Sequence, residues 1–167
     1  MPLVEHIKIG CMPSPSAPAE TLVRDGWLTF LLFFAVSEEV GSSGYLDDLG
    51  VAVVECIGCC SAKMGYPNDE GLPDHPLYSA GISDGTGVYQ LSSSSWLTDI
   101  ESQMKKSRDR LWGSRSIDTS SESPLFHFIV PLKEATFECL AHDIQVKGYH
   151  RDFDEAFRYV RNRFDEH

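Results

Sequence analysis

Apolar positions cluster along the chain in lengths typical of β-strands. Residues 27–36 form an apolar run interrupted only by Thr29. Its phenylalanines and short length favour a buried strand, although its leucines and alanine would also suit a helix. Residues 51–57 are β-branched and apolar at consecutive positions, as in a central strand that is buried on both faces. Shorter strands are predicted near residues 3–9 and 88–91.

Glycine and proline mark the connections between these runs. Asp25-Gly26 lies between apolar runs and predicts a hairpin. Residues 12–20 are rich in proline and predict a connector without regular structure. Residues 41–44 predict a turn, and Gly58 predicts a bend or bulge after the central strand. Residues 113–124 are rich in serine and predict a mobile loop.

Residues 125–146 predict a second hairpin that turns near Lys133 and Glu134. The favoured register places three apolar pairs on one face: Phe126 opposite Ala141, Phe128 opposite Cys139, and Val130 opposite Phe137. A shift by one residue would place Glu138 opposite Val130 in the core. In the favoured register His127, Glu138 and His142 share the opposite face. Two imidazoles and a carboxylate can hold a metal ion there, although such residues are also ordinary on a solvated sheet face.

Two segments have the spacing of amphipathic helices. One begins near Ser94, and its apolar stripe is Trp96, Leu97, Ile100 and Met104. The serines of residues 92–95 could supply a nucleophile, but no Gly-x-Ser-x-Gly elbow is present, so they are interpreted as helix caps. The other spans residues 153–164 and is capped by Asp152. Its apolar stripe is Phe153, Phe157, Val160 and Phe164.

Together these elements predict an α+β fold. The expected architecture is an antiparallel sheet of about six strands with two helices packed on it, with a closed barrel or half-barrel as the alternative. The chain has 167 residues, a length typical of one domain, and no repeat or linker divides it. We therefore predict a single globular domain over residues 1–167.

The acidic composition limits the partners that this chain can bind. Its formal net charge is −11 and its pI about 4.8, which argues against nucleic acid and anionic membranes. The charge fits a basic protein partner, or solubility alone. The sequence has no Walker loop and no dinucleotide fingerprint, so no cofactor is indicated. The odd count of five cysteines and the lack of a secretory pattern in the first residues predict a cytoplasmic location.

The densest group of functional side chains lies in residues 65–78. Proline and glycine restrict this loop to few shapes. Candidate catalytic residues are Asp69, Glu70 and His75, which could act as acid, base or metal ligand. Candidate binding residues are Tyr66, Asn68, Tyr78 and Trp96. Turn chemistry alone would also explain most of the loop.

The cysteines offer a further candidate site. Cys56-x-x-Cys59 and Cys139-x-x-His142 have spacings found in zinc sites. Positions i and i+3 of a flat strand point to opposite faces, however. The cysteines are therefore predicted to be small, buried core residues.

The pattern Gly-Tyr-Pro-Asn-Asp-Glu-x-Leu-x-x-His-Pro-Leu-Tyr at residues 65–78 resembles a motif of uncharacterised bacterial proteins. Residues 94–96 (Ser-Ser-Trp) and 136–139 (Thr-Phe-Glu-Cys) resemble companion segments of that motif. The resemblance carries no fold or activity with it. It implies that these three segments meet in space.

Two functions follow as hypotheses. The first is a small acidic cytosolic protein that acts as a protein-interaction, inhibitor or immunity-type module, because the charge is high and no complete catalytic signature is present. The alternative is a small enzyme or ligand-binding protein that uses the loop of residues 65–78. The alternative predicts a concave pocket beside the loop and a carboxylate with a perturbed pKa.

Overall fold

The strand patterns pair into two antiparallel sheets in the computed structural model, which describes residues 3–82, 86–112 and 123–166. The strands of the described residues are β1 (Val4–Ile7), β2 (Met12–Pro13), β3 (Glu20–Asp25), β4 (Leu28–Val40), β5 (Leu46–Ile57), β6 (Ser61–Gly65), β7 (Val88–Leu91), β8 (Phe126–Pro131), β9 (Thr136–Ala141) and β10 (Asp143–His150). The helices are α1 (Ser95–Trp112) and α2 (Phe153–Asp165). The α+β prediction is confirmed.

Each sheet contains five strands. The first sheet has the order β1-β7-β8-β9-β6. The second has the order β10-β5-β4-β2, and β3 pairs with the same edge of β4 as β2. The two sheets stay separate and do not close into a barrel. The strands therefore form two sheets where the sequence predicted one of about six strands.

The core lies between the two sheets. Phe33 and Val54 of the second sheet, together with Phe128, Phe137 and Cys139 of the first, belong to one buried cluster. Strand alternation directs these side chains inward from both sheets, because successive residues of a strand point to opposite faces. Burial of this shared apolar surface is the main term that stabilises the pair of sheets.

The outer face of the second sheet is covered by α2. Ala156 and Val160 of the helix are buried against Phe30, Leu32 and other residues of β4 and β5. Asp152 caps the helix, since its carboxylate accepts the N–H of Glu155 at 2.9 Å. The predicted helix and cap are confirmed. Phe157, a member of the predicted stripe, is 40% exposed.

The predicted hairpin register is confirmed in β8 and β9. Phe126 pairs with Ala141, Phe128 with Cys139, and Val130 with Phe137. The hairpin ends earlier than residue 146, however. After Ala141 the chain crosses to the other sheet, where β10 pairs with β5. This crossing, which periodicity does not reveal, adds β10 to the edge of the second sheet beside β5.

The predicted turns also hold. Asp25 and Leu28 are paired at the end of the β3–β4 hairpin, and Gly26 has a φ of 57°. Gly58 has a φ of 60° at the turn between β5 and β6. The connector predicted at residues 12–20 differs from the structure at both ends, because Met12–Pro13 form β2 and Glu20 begins β3. The predicted mobile loop at 113–124 lies almost wholly outside the described residues.

The outer face of the first sheet is covered differently. Helix α1 buries Leu97 in its first turn, but residues 101–106 are exposed and Met104 is 40% exposed. The loop of residues 65–82 lies over the same face, where Ile82 packs with Tyr89, Leu91 and Ile129. No helix in the described ranges is long and apolar enough to span a membrane.

Candidate functional site

A cavity of about 660 Å³ opens on the outer face of the first sheet. One wall is the loop, through residues 66–67 and 75–77, and the other is the beginning of α1, through residues 93–96. The floor carries Lys63, His127 and Glu138. The segments that the sequence motif predicted to meet, 65–78, 94–96 and 136–139, thus contribute to one cavity.

Strand pairing explains why the floor residues meet. Lys63 of β6 lies directly opposite Glu138 of β9. His127 of β8 pairs with Leu140 and is therefore diagonal to Glu138 on the same face. All three alternate with residues that point into the core, so the register that builds the core also assembles the floor.

Glu138 is the centre of the floor. Its Oε2 lies 2.7 Å from His127 Nε2, and its Oε1 lies 3.1 Å from Lys63 Nζ and 3.4 Å from His75 Nε2. Burial alone would raise the pKa of this carboxyl. Hydrogen bonds from His127, His75 and Lys63 outweigh the burial and hold the pKa of Glu138 well below its usual range. The side chain is therefore ionised near neutral pH.

The ionised carboxylate fixes the proton positions on His127. A carboxylate only accepts hydrogen bonds, so Nε2 of His127 must carry the proton that points to Glu138. In the neutral imidazole Nδ1 then accepts, and its partner is Ser94 Oγ at 2.9 Å. The Ser94 hydroxyl therefore donates to His127, and a continuous hydrogen-bonded chain runs from Ser94 through His127 to Glu138.

Ser94 also caps α1. Its Oγ accepts the N–H of Leu97 at 3.1 Å, and its carbonyl accepts the N–H of Thr98 at 3.0 Å. The prediction that a serine caps this helix is confirmed. The N–H groups of Ser95 and Trp96 follow in the first turn, where helix geometry provides no intrahelical acceptor. This end of the helix carries a partial positive charge and faces the cavity.

His75 is held by its own loop. Its Nδ1 accepts the N–H of Leu77 at 3.1 Å, which leaves the proton on Nε2, toward Glu138. His75 is 5% exposed. Asn68 supports the turn before it, because Asn68 Oδ1 accepts the N–H of Gly71 at 3.0 Å. The hydrogen bonds within the loop thus position the His75 imidazole so that it contacts Glu138 on the cavity floor.

Asp69 and Glu70 lie elsewhere. Asp69 Oδ2 lies 2.6 Å from Nζ of Lys133, a residue of the turn between β8 and β9. Neither Asp69 nor Glu70 lines the cavity. The hydrogen bond from Lys133 holds the pKa of Asp69 below its usual value. The Asp69 carboxylate also accepts the N–H of Glu70, whose side chain is exposed. Thr136 Oγ1 donates a hydrogen bond to the Pro67 carbonyl at 2.7 Å. This bond and the Asp69–Lys133 ion pair connect the 65–78 loop to the β8–β9 hairpin.

Of the aromatic binding candidates, Trp96 and Tyr66 line the cavity and Tyr78 does not. Trp96 lines the cavity, with its ring edge-on to His127 at 5.2 Å between centroids. Lys63 Nζ lies 4.5 Å from the centre of the Trp96 ring, a favourable cation–π distance. Tyr66 lines the entrance and donates its hydroxyl to Asp74 at 2.6 Å. Tyr78 starts a short 3-10 turn outside the cavity lining.

The metal candidates are not brought together as a set. His127 and Glu138 meet, but His142 lies at the crossing between sheets, where its Nδ1 is 3.0 Å from the Pro124 carbonyl. The strand ends one residue before His142, so its side chain is not part of the sheet face. Among the described residues, no group of three or more His, Cys, Asp or Glu is arranged to hold a metal ion.

The cysteines are free thiols, and all except Cys60 are buried, as predicted. Cys139 lies beside Cys56 and Cys59 in the core. The hydrogen bond from the Cys139 thiol lowers the pKa of Cys59 to about 6, against the opposing effect of burial. Hydrogen bonding with Cys56 and Cys59 raises the pKa of Cys139. These three thiols lie in the core that the two sheets share, and none of them lines the cavity.

Sequence reasoning missed Lys63 and the second contact of Ser94. Lys63 could have been found only from the pairing of β6 with β9, which no local pattern indicates. Ser94 was identified as a helix cap, but its bond to His127 depends on where α1 docks. Comparison of this chain with protein-family models, curated proteins and solved structures found no match.

Proposed function

We propose that this protein binds a small organic molecule in the cavity between α1 and the 65–78 loop. The observation that carries this proposal is the buried, ionised Glu138 on the cavity floor, contacted by Lys63, His75 and His127. Such a group is costly for a fold to retain, because each charge removed from water loses several kcal/mol of solvation. Ionisable groups that are perturbed and lie in a cavity are typical of functional sites.

The chemistry of the walls favours a ligand with carbonyl or carboxylate oxygens. The first turn of α1 offers N–H donors and a partial positive charge. Lys63 adds an ammonium group, and the hydroxyls of Ser93 and Ser95 lie on the same wall. The ammonium group of Lys63, 3.1 Å from Glu138 Oε1, offsets the negative charge of Glu138 and so reduces its repulsion of such a ligand.

The apolar walls favour a ligand with an aromatic or aliphatic body. Trp96, Pro76 and Leu77 line the cavity beside its polar groups. A volume of about 660 Å³ lies within the usual range of small-molecule pockets. A flat or short-chain carboxylate, ester or amide therefore matches both the size and the polarity of the cavity.

Ligand-observed NMR with benzoate, hexanoate and their methyl esters tests this proposal. We expect saturation transfer to at least one of these compounds, weakened at least about tenfold by Trp96→Ala because the apolar wall is lost. Trp27→Ala is the matched control, since Trp27 is 75% exposed in the turn between β3 and β4. Absence of binding to all four compounds, or equal weakening by both variants, would contradict the proposal.

A second candidate function, a module that binds a basic protein, is favoured by the end of the β4–β5 hairpin. Val40, Tyr45 and Leu46 are exposed there, 63%, 77% and 36% respectively. Carboxylates at 38–39 and 47–48 surround them, in a chain with a net charge of −11. Aromatic residues with a charged rim are common at protein interfaces.

A pull-down with paired variants tests this candidate. A basic partner should be retained by the wild type and by Trp27→Ala but lost with Tyr45→Ala, because Tyr45 is the largest exposed side chain of the hairpin end. Retention of a partner irrespective of Tyr45, or capture of acidic proteins only, would exclude the hairpin end as the interface.

A further inference from the structure

We propose that Ser94 is an acyl-accepting nucleophile and that the protein hydrolyses small carboxylic esters. His127 acts as general base and acid, and Glu138 is the positioning residue that orients the imidazole. This reaction rests on the cavity binding proposed above, and it names the substrate class and the chemistry of that site.

The three side chains have the geometry of an activated nucleophile. Ser94 Oγ lies 2.9 Å from His127 Nδ1, and His127 Nε2 lies 2.7 Å from Glu138 Oε2. A nucleophile within hydrogen-bond reach of a base, with that base oriented by a third group, is the arrangement required. Ser94, His127 and Glu138 also line the cavity where an ester would lie.

The imidazole is in the tautomer that this reaction needs. Glu138 holds the proton on Nε2, which leaves the Nδ1 lone pair facing the serine hydroxyl. The two ring nitrogens are exchanged relative to the serine proteases, in which Nε2 faces the nucleophile. Either nitrogen can accept the proton, since the roles are defined by geometry rather than by the atom name.

The second requirement is a group of donors for the oxyanion. Ser94 immediately precedes α1, so the N–H groups of Ser95 and Trp96 lie at the helix end beside the nucleophile. Donors in this position stabilise the negative charge that develops on a carbonyl oxygen. Ser94 Oγ accepts the N–H of Leu97 and donates its own proton to His127. It therefore retains one lone pair for attack.

The reaction proceeds in two balanced steps. Ser94 Oγ forms a bond to the ester carbonyl carbon while its proton passes to His127 Nδ1. The carbon–oxygen bond to the alcohol then breaks, and the alcohol leaves with that proton, which gives an acyl-serine. In the second step a water molecule attacks the acyl-serine and gives its proton to His127. Ser94 leaves with this proton, and a carboxylic acid is released.

Diisopropyl fluorophosphate and p-nitrophenyl butyrate test the nucleophile directly. Ser94 Oγ should form a bond to phosphorus with loss of fluoride, which adds a single phosphoryl group that peptide mapping locates at Ser94. Hydrolysis of p-nitrophenyl butyrate should fall about 10³-fold or more when the hydroxyl is removed. Heat-denatured protein sets the background for both reagents.

Ser94→Asn is the informative variant, because asparagine also caps helices and so keeps α1 intact. Labelling and hydrolysis should be lost in Ser94→Asn and in His127→Asn. Both should be retained in Ser92→Ala, because Ser92 is exposed and does not line the cavity. Circular dichroism verifies that each variant is folded.

Glu138→Gln tests the positioning role. It should lower kcat by at least about 10²-fold with little change in KM, because the amide permits the wrong imidazole tautomer. Labelling of Ser94 by diisopropyl fluorophosphate should slow in parallel. A role confined to fold stability would instead lower the unfolding temperature and leave kcat of the folded fraction unchanged, which would overturn the assignment of Glu138.

The outcomes separate this inference from the binding proposal. If hexanoate or benzoate binds in a Trp96-dependent way but Ser94 is neither labelled nor needed for hydrolysis, the nucleophile is refuted and the binding site stands. If Ser94 is labelled and needed for hydrolysis while neither benzoate nor hexanoate binds, the esterase is supported and the ligand class is restricted to uncharged esters. Absence of both binding and labelling overturns both proposals.

Discussion

Glu138 is the residue on which the cavity floor depends, because three basic side chains converge on its two oxygens. Its carboxylate sets the tautomer of His127 and, through it, the direction of the Ser94 hydrogen bond. The alternation of side chains along a hairpin is enough to predict that His127 and Glu138 share one face. The partners contributed by other elements, Lys63 and Ser94, cannot be predicted in this way, since they depend on strand order and on helix docking.

The lowered pKa of Glu138 leads to a prediction of pH-dependent stability. The folded-state pKa lies below the usual value of 4.5, so the carboxylate stabilises the fold above pH 4.5 and loses this effect as pH falls toward the folded-state value. Glu138→Gln should therefore lower the free energy of unfolding by about 3 kcal/mol near neutral pH. The difference from wild type should shrink below pH 4.5.

Urea unfolding at several pH values measures this difference. Glu70→Gln is the matched control, because Glu70 is exposed and should change stability by less than about 0.5 kcal/mol throughout. A difference between wild type and Glu138→Gln that grows as the pH falls below 4.5 would show that the sign is wrong.

At the scale of elements, local patterns predicted most helices and hairpins, because each is coded by periodicity, caps and turn residues. The Asp25-Gly26 hairpin and the cap at Asp152 are examples. The crossing after Ala141 is the main exception. Residues 143–150 can pair with either neighbour by pattern alone, and the choice of β5 depends on contacts between distant parts of the chain.

The stripe of α2 leads to a graded prediction. Val160 is 1% exposed against the second sheet, whereas Phe157 of the same stripe is 40% exposed. Val160→Ala should lower the free energy of unfolding by about 2 kcal/mol through the lost burial and the cavity left behind. Phe157→Ala should cost less than about 1 kcal/mol. Denaturant unfolding compares the two variants, and a larger loss for Phe157→Ala would mean that α2 packs on a different face.

Gly58 and Gly26 form a matched pair in two turns. Both have positive φ, of 60° and 57°, so an alanine at either position adds about 1–2 kcal/mol of backbone strain. A Cβ at Gly58 would also collide with His142, whereas nothing lies within 4 Å of a Cβ at Gly26. Gly58→Ala should therefore lower the urea midpoint more than Gly26→Ala does. Equal shifts of the urea midpoint would mean that the His142 side chain moves away from the new Cβ without loss of stability.

At the scale of the whole molecule, the fold class was predictable and the division into two sheets was not. The alternation of side chains along the strands correctly predicted which face of β8 and β9 points into the core. It could not reveal that the partner of this face is a second sheet, since that requires the strand order. The ligand-binding hypothesis predicted a pocket beside the loop of residues 65–78, where the cavity lies. The other wall and the floor of this cavity were beyond prediction, because a cavity is a space between elements rather than a property of any one of them.

The shared core predicts that both sheets unfold together. Phe33 of the second sheet and Phe137 of the first lie in the same buried cluster, so neither sheet keeps its apolar face covered alone. Far-UV circular dichroism and tryptophan fluorescence should give the same unfolding midpoint as each other in the wild type. The two signals should also agree in the weakened variant Phe137→Leu. Midpoints that separate between the two signals would indicate two independently folding units.

The position of α2 has a practical consequence for any binding assay. The helix covers the face of the second sheet that is turned away from the first sheet, whereas the cavity opens on the outer face of the first. A biotin or affinity tag joined after α2 would hold the protein on a sensor surface with the cavity toward the solution. Amine coupling would be a poor choice, because the Lys63 side chain is 56% exposed at the cavity itself.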